Sequence, residues 1–346
     1  MLRAVLLARW QVSEMYAIGR SFASVPKTTR PVILVVVLIL QSAYLRLECQ
    51  TATSSVISKD TSAQSLQIGG ARLKIDIDGP VPDLPKMALK QHVVSAAQAV
   101  SLYYGHFPVT SAHIVISVSP GGKGVLQGTT WGNRDGFPAV TKLRIGQNTT
   151  QPELDSDWIA THELVHMALA SLPDSQHWLE EGIATYVEPI ARVQAGQLQA
   201  QRIWGDMMAG MANGEPEAGD LGLDRTHTWG RTYWGGALFC LVADVEIRKH
   251  TGNRRGLQDA LRGIVNAGGT IDKGWPIERV LRTGDQATGT TVLSDLYSVW
   301  GKAPVKVDLE SLWIQLGVRL IDGEVTFDEK APLAALRTAI TKPSHP

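Results

Sequence analysis

Two histidines four residues apart, with a glutamate beside the first, sit inside an apolar run: His162, Glu163 and His166 lie among Ile159, Leu164, Val165, Ala168 and Leu169. No other stretch constrains the fold as much. The apolar spacing predicts a helix mostly buried in a core, where imidazoles and a carboxylate without partners are costly. Residues four apart on a helix lie about 40° apart around the axis and roughly 6 Å along it. Both histidines can therefore point at one cation, and a metal that takes neutral imidazoles and a carboxylate removes the burial cost. The pentapeptide H-E-x-x-H suits zinc, with Glu163 on the flank from which a bound water is deprotonated. A solvated helix face would also yield this pentapeptide by chance, but its neighbours would be polar.

Catalytic zinc usually has three protein ligands and an open position for water. The segment His177-Trp178-Leu179-Glu180-Glu181-Gly182-Ile183-Ala184-Thr185-Tyr186 offers the third. Fourteen residues separate His166 from Glu181, enough to end one helix at Pro173 and begin another capped by Ser175. In the second helix Leu179, Ile183, Tyr186 and Val187 follow helical spacing and form the expected packed face. Glu181 is the best candidate for the ligand, and Glu180, one position around the helix, is its rival. At least one of the two acids can simply be favourable charge in a first helical turn.

The pair H-E-L-V-H and W-L-E-E-G-I-A-T-Y resembles the gluzincin metallopeptidases, whose third ligand is the Glu directly before Gly in W-L-x-E-G-x-A-x-Y. The resemblance implies zinc on His162, His166 and Glu181, with Glu163 as general base. It implies an α+β fold: a zincin (thermolysin-like) catalytic domain with a small sheet before the H-E-x-x-H helix and a helical subdomain after it. The short gap looks more like the peptidase MA-like group than like aminopeptidase N, where the gap is longer. Tyr233-Trp234-Gly235-Gly236-Ala237 is similar to the Y-x-x-G-A helix start that carries the family's transition-state tyrosine. On general grounds the Tyr233 phenol can donate to an oxyanion, although a buried tyrosine whose hydroxyl merely finds a partner reads the same way. The resemblance spans residues 155–300.

One departure matters. Aminopeptidases of this clan carry a G-x-M-E-N segment whose glutamate holds the substrate's amino group, whereas residues 121–131 have the glycines but no acid. An aminopeptidase is therefore disfavoured. As a strand this segment can still line the cleft and bind a peptide by backbone pairing.

Composition bounds the rest. The 346 residues are 44% apolar and 19% charged with zero formal net charge, an ordinary globular balance. Without a long basic run, nucleic acid is excluded as a partner, and a peptide or protein substrate is expected. Cys240 falls in an apolar helical stretch and Cys49 near the amino terminus, so no disulfide framework is expected. Arg3, Arg9, Arg20, Lys27 and Arg30 precede an apolar run at residues 32–40, the pattern of an export signal. Residues 31–45 are 15 in number, short of the roughly 20 that cross a bilayer. A cleaved signal is favoured over a membrane tether through 31–45, and the protein is expected to be exported, periplasmic or secreted.

The expected organisation is an export signal or anchor at 1–50, a Ser/Thr-rich linker at 51–70, a metallopeptidase domain at 71–300, and a hairpin and helix at 301–346. Alternation predicts strands around Leu73 to Ile77, Ile114 to Val118 and Val140 to Ile145, with a helix over 87–104 and the zinc helix beginning after Pro152. Residues 191–228 read as irregular, a lid or a long connection. Helices are expected over 235–249, 256–266, 277–281, 292–300 and 332–341, and Asp322-Gly323 predicts a hairpin turn. His92, His106, His113 and His250 have no ligand spacing, His227 reads as a surface loop residue, and His177 reads as structural. The leading expectation is zinc-dependent hydrolysis of peptide bonds. The alternatives are a non-catalytic member of the fold that binds peptide or cell-wall material, and a hydrolase of another amide or ester.

Overall fold

Strand periodicity organises the first half of the molecule. The computed structural model describes residues 65–342; the expected signal or tether at 1–50 and residues 51–64 lie outside the described residues. Strands β1 (Leu66–Ile68), β2 (Ala71–Asp78), β3 (Ser111–Ser119), β4 (Val125–Arg134) and β5 (Phe137–Gly146) form one sheet in the order β1-β2-β3-β5-β4. β2, β3 and β5 run parallel, while β1 and β4 are antiparallel edges. Leu73 and Ile75, Ile114 and Ile116, and Leu143 and Ile145 carry the alternation into the core. A parallel pair needs a crossover, and α1 (Lys86–Tyr104) supplies it between β2 and β3, burying Leu89, Val93, Val100 and Tyr103. β1 lies inside the stretch expected to be linker. Three residues are too few for alternation to show.

Helices follow the sheet. α2 (Gln151–Asp155) takes Pro152 into its first turn, so the motif-bearing helix does not start there but later, as α3 (Ile159–Val165). A short 3-10 turn at Asp174–Gln176 leads into α4 (His177–Gln194), whose N-cap is Gln176, so Ser175 does not cap it. The stretch 191–228 is not irregular throughout, because α5 (Ala200–Met211) fills its middle and buries Ile203, Trp204, Met207 and Met211. Its glycines lower helix propensity but serve packing: a Cβ at Gly210 would stand 2.0 Å from the Trp234 ring.

Next come α6 (Gly236–Thr251), α7 (Leu257–Asn266), α8 (Ile277–Thr288) and α9 (Val292–Trp300), with α8 running past the expected end at 281. α10 (Leu309–Leu316) was not expected; the Asp308 side chain caps it by accepting from the Ser311 N–H. Strands β6 (Val318–Ile321) and β7 (Glu324–Phe327) pair through Asp322 and Gly323, both left-handed at φ 52° and 82°, as a two-residue hairpin turn demands. α11 (Ala334–Thr341) closes the described chain, and residues 301–342 belong to the same compact unit as the sheet. Among the described residues no helix is long and apolar enough to cross a membrane.

α4 and the start of α6 meet backbone to backbone. A Cβ on Gly236 would stand 2.2 Å from the Trp178 carbonyl oxygen, and one on Gly182 would stand 2.4 Å from the Gly236 backbone. Gly236 has ordinary helical angles, φ −65° and ψ −42°, so propensity alone favours alanine there by about 1 kcal/mol. The steric cost of moving two buried helices, about 1–3 kcal/mol or more, opposes it. We therefore expect Gly236→Ala to lower unfolding stability in urea titrations; a neutral or stabilised variant would show that the two helices are not held at backbone contact.

Candidate active site

α3 begins where Asp157 stops the chain's free amides. Its carboxylate accepts from the N–H groups of Ile159 (3.0 Å) and Ala160 (3.1 Å) and meets His92 Nε2 of α1 at 2.8 Å. Every residue of α3 is buried. The helix is shorter than the apolar run suggests: at His166 the backbone tightens into a 3-10 turn, and by Leu169 it is extended at φ −131°. His166 N–H still donates to the His162 carbonyl, so both imidazoles remain one helical turn apart on one side.

α4 brings Glu181 to them. Glu181 Oε2 lies 3.1 Å from His162 Nε2 and 3.6 Å from His166 Nε2. One donor atom from each of the three residues falls within 4.8 Å of the others, the cluster that could hold a metal ion. Zinc held tetrahedrally by bonds of about 2.0–2.2 Å separates neighbouring ligand atoms by about 3.3–3.6 Å. Donor set and spacing both fit that ion. Glu180 turns elsewhere, accepting from the Leu172 N–H at 2.9 Å and facing His177 Nδ1 at 2.8 Å.

Electrostatics follow from burial and pairing. Burial opposes charge on Glu181, yet His166, His162 and His177 together hold its carboxyl well below the ordinary range. Burial likewise opposes charge on His162, but the bond and charge of Glu181, with Glu163 and Glu188 nearby, raise it above its usual value. His177 is pushed up to about 10 by its hydrogen bonds to Glu180 and then Glu181, against burial.

Glu163 is reached from the sheet. β4 is the edge strand beside α3, and a Cβ on Gly128 would stand 2.3 Å from Glu163 Cγ, so strand backbone rests directly on that side chain. Two residues on, Thr130 Oγ1 lies 2.8 Å from Glu163 Oε2, 2.9 Å from the Glu163 carbonyl oxygen and 2.8 Å from Thr141 Oγ1. Gly128 and Thr130 fall in the stretch 121–131, which as a strand can line the cleft. Their small side chains at period two were the available signal; the bond to Glu163 was not legible.

Tyr233 sits in a π-helical segment, Gly230–Gly235, that runs into α6, a rare local geometry that is frequent at functional sites. Its ring stacks on His162 (centroids 6.3 Å apart, 19° between planes) and on Trp229 at 6.2 Å. Burial, the Glu181 and Glu163 charges and a hydrogen bond to Glu181 raise its phenol well above the usual value, so it carries its proton. Arg231 anchors the segment, donating to the Gly214 carbonyl and facing Asp220 at 3.4 Å. His227 is exposed, as expected of a loop residue. The structure thus gathers His162, His166, Glu181, Glu163 and Tyr233 in one place and adds Thr130 and His177.

No protein-family model and no curated protein matches the sequence. Among solved structures, an aminopeptidase N family protein from Idiomarina loihiensis aligns with a TM-score of 0.56 at 15% identity, over 78% of this chain and 52% of that one. An M1 zinc metallopeptidase from Deinococcus radiodurans aligns at 0.46 and 17%, over 71% and 52%. The chain spans about half the length of these structures. The first likeness shows a mixed fold, a small sheet followed by helices, similar to that of an aminopeptidase N family protein.

The geometry separates candidate ligands from their neighbours. We expect His162→Ala, His166→Ala and Glu181→Ala each to lose stoichiometric zinc, and Glu180→Ala to retain it, in plasma-emission assays of purified protein. Zinc kept by Glu181→Ala and lost by Glu180→Ala would reverse the assignment.

Proposed function

We propose that this chain is a zinc-dependent peptidase with a zincin catalytic domain, exported by its amino-terminal segment. The observation that carries this reading is the convergence of His162 and His166 on one oxygen of Glu181, at 3.1 and 3.6 Å, with a second carboxylate, Glu163, beside them and held from the sheet. A purely structural metal site would not need Glu163. His162, His166 and Glu181 would hold zinc, which lowers the pKa of a bound water toward neutrality and polarises a carbonyl.

This chain's own groups do the rest. Glu163 accepts a proton from the attacking water as oxygen bonds to the scissile carbonyl carbon, and passes it to the amine nitrogen as the C–N bond breaks. Thr130, donating to Glu163 Oε2, keeps one carboxylate oxygen occupied and so aims the other. Tyr233, protonated and close to Glu181, donates to the oxyanion that forms on the former carbonyl. The open edge of β4, beside Glu163, offers backbone groups to an extended peptide. The absence of an acid in 121–131 keeps aminopeptidase action out of the proposal.

Two experiments bear on this. Glu163→Gln keeps the ligands but cannot accept a proton, so near-normal zinc content with turnover down by about two to four orders of magnitude is expected. Tyr233→Phe should retain zinc and lose about one hundred- to one thousandfold. A wild-type protein that binds zinc yet cleaves nothing in a broad peptide library would remove the peptidase reading and leave the non-catalytic binding module or a hydrolase of another amide or ester. Separately, Thr130→Val removes a charge-assisted bond of about 1.5–3 kcal/mol and should slow turnover about ten- to one hundredfold at unchanged zinc content, with Thr130→Ser restoring it. Equal rates in Thr130→Val and wild type would remove Thr130 from the mechanism.

A further inference from the structure

The two oxygens of Glu181 have different surroundings. Oε2 faces the metal-binding imidazoles, and Oε1 lies 3.2 Å from Nε2 of His177. The other nitrogen of His177, Nδ1, meets Glu180 Oε2 at 2.8 Å, and Glu180 Oε1 in turn accepts from the Leu172 N–H at 2.9 Å. Two hydrogen bonds and a 3.2 Å ion-pair contact therefore lead from the connector between the two ligand-bearing helices to the third ligand.

We propose that His177 is a positioning residue that occupies Glu181 Oε1 and so restricts this ligand to one metal-facing oxygen, setting zinc affinity and coordination number. The inference rests on the three-ligand centre proposed above.

An i,i+4 pair on a helix surface is ordinarily a weak interaction, which is the plainer account of a His177–Glu181 contact. Here the acceptor is not at the surface: Glu181 is 7% exposed, and a buried carboxylate oxygen without a partner is costly. The His177 side chain, by contrast, is 53% exposed, so packing does not hold it. Its position is fixed by the two carboxylates, and Glu180 by the Leu172 amide. His177 is not a fourth ligand, because its Nε2 addresses the oxygen opposite the one shared by His162 and His166, and the three-residue donor cluster does not include it. Groups that orient metal ligands from outside typically change affinity by about 10–100-fold when removed.

The test uses the full chain. Zinc affinity is measured by competition with a chromogenic chelator, and coordination by the visible absorption of the cobalt(II)-substituted protein, whose bands are stronger at four-coordinate than at five-coordinate metal. His177→Ala is expected to bind zinc about 10–100-fold more weakly and to show weakened cobalt bands as Glu181 becomes free to use both oxygens. His177→Gln places an amide nitrogen where Nε2 stood and should return both readouts toward wild type. Circular dichroism of the metal-free proteins checks folding; should His177→Ala fail to fold, the comparison rests on His177→Gln against His177→Leu. Wild-type affinity and spectrum in the variant lacking the donor would overturn the proposal. A wild type that binds zinc with these dependences but cleaves no peptide would remove the peptidase reading and leave this one standing, whereas a wild type with no zinc affinity would remove both.

Discussion

A carboxylate buried at 7% exposure needs positive or donating neighbours on every side, and Glu181 finds them in three imidazoles. Much of the site's architecture follows from that requirement. Two of the imidazoles come from α3 and the 3-10 turn that ends it, so α3 must lie against α4, and α3 can be that deeply buried only because Asp157 takes its first amides and β4 offers glycine where Glu163 would otherwise collide. The centre is thus assembled by mutual necessity: each charged group is tolerable in the interior because the others are there.

Backbone proximity sets the scale of the assembly. Where Gly182 meets Gly236, no side chain separates α4 from α6, and the residues next to that contact in sequence are Glu181 on one helix and, three positions earlier, Tyr233 on the other. The small residues of W-L-E-E-G and Y-W-G-G-A therefore have a common physical reason. They let a ligand and a phenol approach the same point from two helices.

Legibility in the sequence tracked distance along the chain. Asp322-Gly323 fixed its hairpin because the turn's own dihedrals decide it, and Leu73, Ile75, Ile114 and Ile116 announced their strands by alternation. α6, α7 and α9 were legible as apolar periodic runs of ordinary length. β1 was too short, and α5 was hidden by glycines whose purpose is contact with Trp234 and Val325, residues remote in sequence. At the site, His162 and His166 could be named because a helix repeats and their spacing implies a shared ion, while Glu181 was preferred to Glu180 through the resemblance to the gluzincin segment. Thr130 could not, since its partner Glu163 is 33 residues away, and His177 was read as merely structural because its role depends on which oxygen of Glu181 it meets.

The π-helical segment at Gly230–Gly235 has a consequence for how the molecule can vary. A wider turn at the head of α6 offsets the angular phase of the residues on its amino-terminal side from that of the helix beyond it. Leu238, Phe239 and Leu241 can keep the core-facing phase, while Tyr233 takes the phase that stacks it on His162. Packing and chemistry are thereby placed on separate dials along one continuous helix. Drift in the core face of α6 leaves the tyrosine's bearing untouched, whereas shortening the segment by a single residue would lock the two dials together and turn the phenol away from the site.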